Sequence, residues 1–195
     1  MKIGIFGGSF NPPHNMHKNI AKELIEKGYL DKVIFVPTGM KYEYKNNLLN
    51  DKIRVKMLSL MIKDEKNMKI SKYELKNKTV YTYETLNYFK KKYKNDEIYF
   101  ICGTDNLTYM DTWAKGIDIL ENYKILVIKR DTDDINEIIK RLKKYQKNII
   151  ITDIIPNNIS STKIRNMIKD ENKNINNYLD LSVLNYIKRK KIYTL

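Results

Sequence analysis

The two histidines of the chain, His14 and His17, lie three residues apart in the segment Gly7-Gly8-Ser9-Phe10-Asn11-Pro12-Pro13-His14-Asn15-Met16-His17. If a helix begins near His14, this spacing places both imidazoles on one face, one turn apart. Free backbone N–H groups and the positive end of the dipole make the N-terminus of a helix favourable for a phosphate. Gly7 and Gly8 let the backbone approach a ligand closely. The segment therefore predicts a phosphate-binding turn.

Other roles for this histidine pair have less support in the sequence. Histidines near a helix start are often surface or capping residues. Histidines at positions i and i+3 can also share a zinc ion, but no third ligand is evident nearby, so we expect no metal site in the protein. The segment is not a P-loop, because it lacks the closing Gly-Lys-Ser/Thr that grips terminal phosphates.

A second cluster of polar residues stands late in the chain, in Ile159-Ser160-Ser161-Thr162-Lys163-Ile164-Arg165. Hydroxyl residues before a helical pattern are ordinary N-caps, and that interpretation suffices for the cluster alone. If the helix follows the last strand of a parallel sheet, however, its start faces the same crevice as the histidine segment. Ser161, Thr162 and Arg165 could then hold the outer phosphates of a triphosphate.

The elements that must position these groups follow from the apolar pattern. Short apolar runs predict strands at Ile3–Phe6, Val33–Val36, Met68–Ile70, Ile98–Ile101, Ile125–Ile128 and Ile149–Ile151. Helical spacing predicts helices at Asn15–Lys27, Asp51–Ile62, Tyr83–Tyr93, Ile135–Tyr145, Ser161–Ile168 and Val183–Ile187. Strands of this kind alternating with helices indicate an α/β fold, a Rossmann-like doubly wound parallel sheet with helices on both faces.

No repeat, long linker or composition break divides the chain, so we expect one domain over residues 1–195. The helices from about residue 160 would complete its ligand site. Parallel sheets bind ligands beyond the carboxyl ends of their strands, where both Gly7-Gly8 and Gly103 fall.

Composition narrows the function classes. The net charge of +14 comes mostly from lysines spread along the whole chain, which indicates a solvated basic surface rather than a nucleic-acid interface. A single cysteine excludes an internal disulfide and a multi-cysteine metal site. No apolar run approaches the roughly 20 residues of a membrane span, and the N-terminal apolar run is too short for a signal peptide. The sequence predicts a cytoplasmic protein that binds neither nucleic acid nor membrane.

The first segment and the late hydroxyl-rich segment together resemble the HxGH-type nucleotidyltransferase superfamily. Within it, the chain is most similar to the bacterial nicotinate-nucleotide adenylyltransferases of NAD biosynthesis. The similarity runs nearly end to end and includes Arg54, Tyr81-Thr82, Gly103-Thr104-Asp105, Trp113 and Lys129-Arg130. Two departures lie in the first segment: Asn11 stands where aspartate is common, and Met16 replaces the glycine of His-x-Gly-His.

The resemblance implies a role for each matching residue. The catalytic groups would be His14, His17 and Arg165, which stabilise charge on the phosphates. ATP would be bound by Gly7, Gly8, Ser9, Phe10, Gly103, Asp105, Ser161, Thr162 and Arg165. The pyridine mononucleotide would be bound by Thr82, Tyr109, Trp113 and Lys45. Magnesium would enter with the triphosphate rather than in a protein cage.

The implied reaction moves AMP from ATP to nicotinate or nicotinamide mononucleotide and releases pyrophosphate. The sequence does not choose between these two acceptors, and a homo-oligomer is one of the assembly states it allows. Another transferase of the same fold, such as a pantetheine-phosphate adenylyltransferase or a cytidylyltransferase, remains an alternative. Two alternatives have less support: a non-catalytic nucleotide sensor, and a nucleic-acid-binding protein, which only the net charge suggests.

Overall fold

A parallel sheet runs through the computed structural model, which describes residues 1–41, 48–76, 78–129 and 135–194. Within that part of the chain its strands are β1 (Lys2–Gly8), β2 (Lys32–Pro37), β3 (Met68–Ile70), β4 (Glu97–Gly103), β5 (Lys124–Ile128) and β6 (Ile149–Ile151). Neighbouring strands are hydrogen-bonded in the order β3-β2-β1-β4-β5-β6, and every pair is parallel. The doubly wound α/β fold predicted from the sequence is confirmed.

The helices follow the strands closely along the chain. They are α1 (Asn15–Glu26), α2 (Asp51–Met61), α3 (Thr82–Lys92), α4 (Thr104–Tyr109), α5 (Gly116–Asn122), α6 (Ile135–Arg141), α7 (Ser161–Lys169) and α8 (Leu181–Lys190). The helix predicted over Ile135–Tyr145 is partly wrong, because α6 ends at Arg141 and a 3-10 helix continues from Lys143 to Asn148. The short helices α4 and α5 were missed, as was the 3-10 helix Met110–Thr112 between them.

Each face of the sheet carries its own apolar cluster. Alternate residues of a strand point to opposite faces, so Val33 and Phe35 of β2 join one cluster while Ile34 and Val36 join the other. The first cluster packs against α1, α2, α7 and α8, and the second against α3, α4, α5 and α6. Because both faces are covered, the strands read as continuous apolar runs in the sequence.

The two central strands, β1 and β4, mark the point where the strand order reverses. Their register pairs Phe6 with Ile101, which brings the carboxyl ends of both strands to the same place on the sheet edge. Connections leave this point in opposite directions, so a crevice opens there, and this is where doubly wound sheets bind ligands. The glycines Gly7-Gly8 and Gly103 end these two strands.

Among the residues that the structure describes, no helix combines the length and apolar character needed to cross a membrane.

Candidate active site

The two imidazoles lie against each other at the start of α1. His14 is the N-cap residue, with an extended backbone, and its ring centroid is 3.7 Å from that of His17. The backbone N–H of His14 donates to Nδ1 of His17 at 3.2 Å. Since Nδ1 accepts this bond, a neutral His17 carries its proton on Nε2. The backbone therefore fixes the orientation of this imidazole before any ligand binds.

Phe10 anchors the turn before the histidines in the core. Its φ of 47° is in the left-handed region, which is uncommon for a residue with a side chain. The ring is 1% exposed and contacts the His17 ring edge-on at 5.0 Å between centroids. A Cβ on Gly8 would lie 3.1 Å from this ring, so glycine allows the close approach. The Phe10 side chain thus supports His17 from the core side.

Arg54 on α2 holds the same turn through hydrogen bonds, and its side chain is 0% exposed. Its guanidinium donates to the carbonyl oxygens of Ser9 at 2.7 Å, Thr38 at 2.6 Å and Leu49 at 2.9 Å. It also pairs with the Asp51 carboxylate. The loops that follow β1 and β2 are therefore joined through one buried cation. The sequence alone predicted no role for Arg54, although a lone arginine among the apolar positions of a helix is a usable signal.

The start of α7 lies directly against the histidine turn. Ser160 caps the helix by accepting a hydrogen bond from the Lys163 N–H at 3.2 Å. Ser161 Oγ donates to the carbonyl oxygen of Pro12 at 2.8 Å, and Arg165 Nη1 donates to that of Asn11 at 2.8 Å. Residues separated by about 150 positions in the chain thus meet at one place.

Arg165 is also held by its own helix, since Nη2 donates to Thr162 Oγ1 at 3.0 Å. Half-buried and bonded to a loop carbonyl on one side, its guanidinium is oriented in advance. A planar cation of this kind can bind phosphate oxygens through two N–H groups at once. The arrangement places one cation and two imidazoles around the same turn.

The N-terminus of α1 offers fewer amide donors than the sequence analysis expected. The N–H of Asn15 donates to the Tyr178 carbonyl oxygen at 2.8 Å, and the N–H of His14 is used by His17. Contacts to a phosphate at this position would therefore depend more on the imidazoles than on the first amides of the helix.

Met16, the departure beside His17, packs its side chain against the first apolar cluster. The added bulk relative to glycine is thus taken up by the core.

The end of β4 supplies the other wall of the crevice. Gly103 is the N-cap of α4, Thr104 is fully buried, and Asp105 is exposed in the first turn. Asp105 is thus an exposed residue at the carboxyl edge of the sheet, and its contact with the nucleoside stays a prediction.

The residues predicted to bind the acceptor are only partly brought together. The half-buried Trp113 packs edge-on against Phe100 of β4, with 6.3 Å between ring centroids. Two residues later, Lys115 Nζ lies 5.3 Å from the ring of Tyr83, which is the neighbour of Thr82. The segment around Trp113 and the start of α3 are therefore adjacent.

Two other residues predicted to bind the acceptor, Tyr109 and Lys45, add little support for this site. The side chain of Tyr109 is 65% exposed. Lys45 lies outside the residues that the structure describes.

Glu74 is a partly buried carboxyl group near the start of α3. Thr85 Oγ1 donates to its Oε1 at 2.7 Å, and the loop after β2 packs on its backbone, where a Cβ on Gly39 would lie 2.4 Å from the Glu74 carbonyl oxygen. Burial raises the pKa of Glu74 to about 7, the Thr85 bond opposes this rise, and the charge of Glu84 adds to it. The sequence predicted no role for Glu74, and nothing in the local pattern marks its side chain as partly buried.

Comparisons with known proteins bear on this arrangement. The model of the cytidylyltransferase-like family matches residues 5–167. A protein of Clostridium acetobutylicum named probable nicotinate-nucleotide adenylyltransferase is 38% identical over 198 residues, covering 98% of each chain. A protein of the same name from Clostridium botulinum (strain Okra / Type B1) is 40% identical over 197 residues, covering 97% of each. The chain belongs to the nicotinate-nucleotide adenylyltransferase family. The family resemblance seen in the sequence is confirmed.

Solved structures share the family's fold. A Plasmodium falciparum nicotinic acid mononucleotide adenylyltransferase complexed with NaAD superposes with a TM-score of 0.82 at 20% identity, over 98% of this chain and 97% of that one. The same enzyme complexed with APC gives a TM-score of 0.78 at 21% identity, over 98% and 96%. At these identities the likeness is one of fold.

Proposed function

We propose that this protein transfers AMP from ATP to nicotinate mononucleotide or nicotinamide mononucleotide, forming the dinucleotide and pyrophosphate in NAD biosynthesis. Family membership supports the reaction class. The observation that carries the proposal for this chain is the meeting of two distant segments, in which Arg165 and Ser161 donate to the carbonyl oxygens of the turn that presents both histidines.

In this proposal the triphosphate lies between the two segments. The imidazoles of His14 and His17 contact its phosphates, and Arg165 holds the β- and γ-phosphates with Ser161 and Thr162. Gly7 and Gly8 allow the backbone to approach the triphosphate, with Ser9 and Phe10 completing the turn. Gly103 and Asp105, at the other side of the strand-order reversal, are assigned to the ribose and adenine.

The chemistry follows from this placement. A phosphate oxygen of the acceptor attacks the α-phosphorus of ATP in line, a new P–O bond forms, and the bond to pyrophosphate breaks. Negative charge grows on the α-phosphate and on the leaving pyrophosphate, where the imidazoles and Arg165 stabilise it. Because no covalent enzyme intermediate is required, catalysis consists of positioning and preorganised electrostatics.

Magnesium belongs to this proposal as part of the substrate, bound to the triphosphate. Mg²⁺ keeps several waters and is usually held by phosphate oxygens with few protein carboxylates. The described ranges, which omit residues 42–47, 77, 130–134 and 195, contain no group of three or more His, Cys, Asp or Glu side chains placed to hold a metal. Phosphate oxygens and water would therefore supply most of its ligands.

The acceptor is assigned to the region between the start of α3 and Trp113. The indole would stack on the pyridine ring, with Thr82 and Tyr109 nearby, and Lys45 is a further candidate. Support comes from the adjacency of these segments through Lys115 and Tyr83. The preference between the acid and the amide is left to experiment.

A pyrophosphate-release assay tests the function. The protein is given ATP·Mg²⁺ with nicotinate mononucleotide, nicotinamide mononucleotide or pantetheine phosphate, and the series is repeated with CTP. We expect release with ATP and a pyridine mononucleotide only. Release with CTP or pantetheine phosphate instead would assign the protein to another transferase of this fold. ATP binding without release in any arm would indicate a nucleotide sensor.

A further inference from the structure

The end of the chain turns back onto the histidine turn. After α8, Lys191 adopts a left-handed backbone with φ of 50°, which reverses the chain. Ile192 is buried in the first apolar cluster, and its N–H donates to the Ile187 carbonyl oxygen at 3.0 Å. This anchors the next residue, Tyr193, whose hydroxyl donates to Asn11 Oδ1 at 2.7 Å. Tyr193 therefore reaches the loop between β1 and α1.

The Tyr193 hydroxyl is placed among the groups that hold this loop. Burial raises the pKa of the phenol, while the positive charges of Arg165 and Arg54 act in the opposite direction. The phenol is therefore neutral and able to donate near neutral pH, and both arginines are close enough to influence it. Those arginines and Ser161 hold backbone carbonyl groups of residues 9, 11 and 12. Tyr193 instead holds the side chain of Asn11.

We propose that Tyr193 is a positioning residue for ATP, which fixes Asn11 and thereby the turn that presents His14 and His17 to the triphosphate. This inference rests on the proposed function. Asn11 itself is 4% exposed and its side-chain oxygen accepts the bond from the phenol, so the proposed role of Tyr193 acts through the shape of the turn. A turn held in its binding geometry beforehand loses less conformational freedom when the ligand arrives.

The amide of Asn11 gives a further reason for the phenol. A carboxylate at this position could be held by the positive charge of Arg165, which already donates to the Asn11 carbonyl oxygen. A neutral amide lacks that attraction, and the Tyr193 hydroxyl supplies its side-chain oxygen with a hydrogen-bond donor. The pair Asn11–Tyr193 thus keeps the turn ordered and adds no negative charge beside the incoming phosphates.

The test is Tyr193→Phe, which removes the hydroxyl and keeps the ring packed. We expect kcat/KM for ATP to fall about five- to tenfold, the size of one lost hydrogen bond. The KM for the mononucleotide should stay within twofold of the parent value. Tyr186→Phe is the matched control, since Tyr186 is half-buried on α8 and packs against the same apolar cluster. It should retain the parent's kinetics.

Binding of a non-hydrolysable ATP analogue gives a second readout that needs no acceptor. The analogue should bind Tyr193→Phe several-fold more weakly than the parent. If the pyridine mononucleotides prove not to be the acceptors, this result still tests the positioning role. The proposed function and the role of Tyr193 can thus fail separately.

A double-mutant cycle separates positioning through Asn11 from a general effect on stability. Added to Asn11→Ala, the change Tyr193→Phe should weaken analogue binding by less than twofold, because its partner is already gone. Equal losses in the presence and absence of Asn11 would overturn the proposal. A lowered melting temperature with unchanged kinetics and binding would overturn it too, as it would show a purely structural tyrosine.

Discussion

Replacing Arg54 by methionine should destabilise the fold severely. The side chain is 0% exposed, and its guanidinium serves three carbonyl oxygens and the Asp51 carboxylate. Methionine has a similar stem but leaves all four acceptors without this donor. The bond to the Thr38 oxygen is buried and the other two carbonyl bonds are partly buried. At about 1–3 kcal/mol for each buried acceptor left unsatisfied, and less for the others, we expect a loss of roughly 3–5 kcal/mol.

Urea denaturation followed by circular dichroism measures this loss. For a chain of this length, 3–5 kcal/mol corresponds to a melting temperature lower by roughly 10 °C. Arg54→Lys should fall between the parent and Arg54→Met, because an ammonium group keeps the charge but cannot span all these acceptors. Arg189→Met is the control, as Arg189 is exposed at the end of α8, and should change stability by less than about 0.5 kcal/mol. A loss below about 1 kcal/mol for Arg54→Met would show that these bonds contribute little to the stability of the fold.

Three further predictions concern catalysis, pH and the acceptor region. His17→Ala should lower kcat by about two to three powers of ten, as expected for loss of one preorganised donor; steady-state kinetics within threefold of the parent would remove His17 from the mechanism. Glu74 should make the protein less stable as pH rises, because the folded state raises its pKa from 4.5 to about 7 and so disfavours the ionised form. The free energy of unfolding should therefore fall by up to about 3 kcal/mol between about pH 4.5 and 7. Urea titrations at a series of pH values measure this fall, and Glu74→Gln should flatten it. Glu26→Gln, on the exposed side of α1, is the control and should leave the pH dependence unchanged. Equal slopes in Glu74→Gln and the parent would show that burial of Glu74 does not cause the fall. Gly116→Ala should lower stability and raise the KM for the mononucleotide, because its Cβ would lie 1.7 Å from the Met110 carbonyl oxygen and displace the segment that carries Trp113. Differential scanning calorimetry and steady-state kinetics measure the two effects. Values that match the parent would show that this turn is unrelated to the acceptor.

Much of the fold could be predicted from the sequence because its strands are buried on both faces. Runs such as Val33–Val36 and Ile125–Ile128 are apolar throughout and stop at turn residues or charges, so they are visible without any partner. The spacing of His14 and His17 after a Gly-Gly turn was equally local. Both features depend on residues close together in the chain.

The parts that could not be predicted depend on distant contacts. The helices α4 and α5 have six and seven residues, too short for an apolar periodicity to emerge. Arg54 is buried because carbonyl groups of two other loops surround it, and Tyr193 is functional in our proposal because it meets a residue 182 positions away. No pattern in the neighbourhood of either residue specifies such partners.

In the proposed mechanism, the histidine turn and the start of α7 bind one triphosphate from two sides. The most direct measurement is the affinity of a non-hydrolysable ATP analogue for the parent, His17→Ala, Arg165→Ala and the double variant, by isothermal titration calorimetry with Mg²⁺. We predict at least tenfold weaker binding for each single variant and a combined loss smaller than the product of the two, since both groups act on the same phosphates. Parent-like affinity in either single variant would contradict the account.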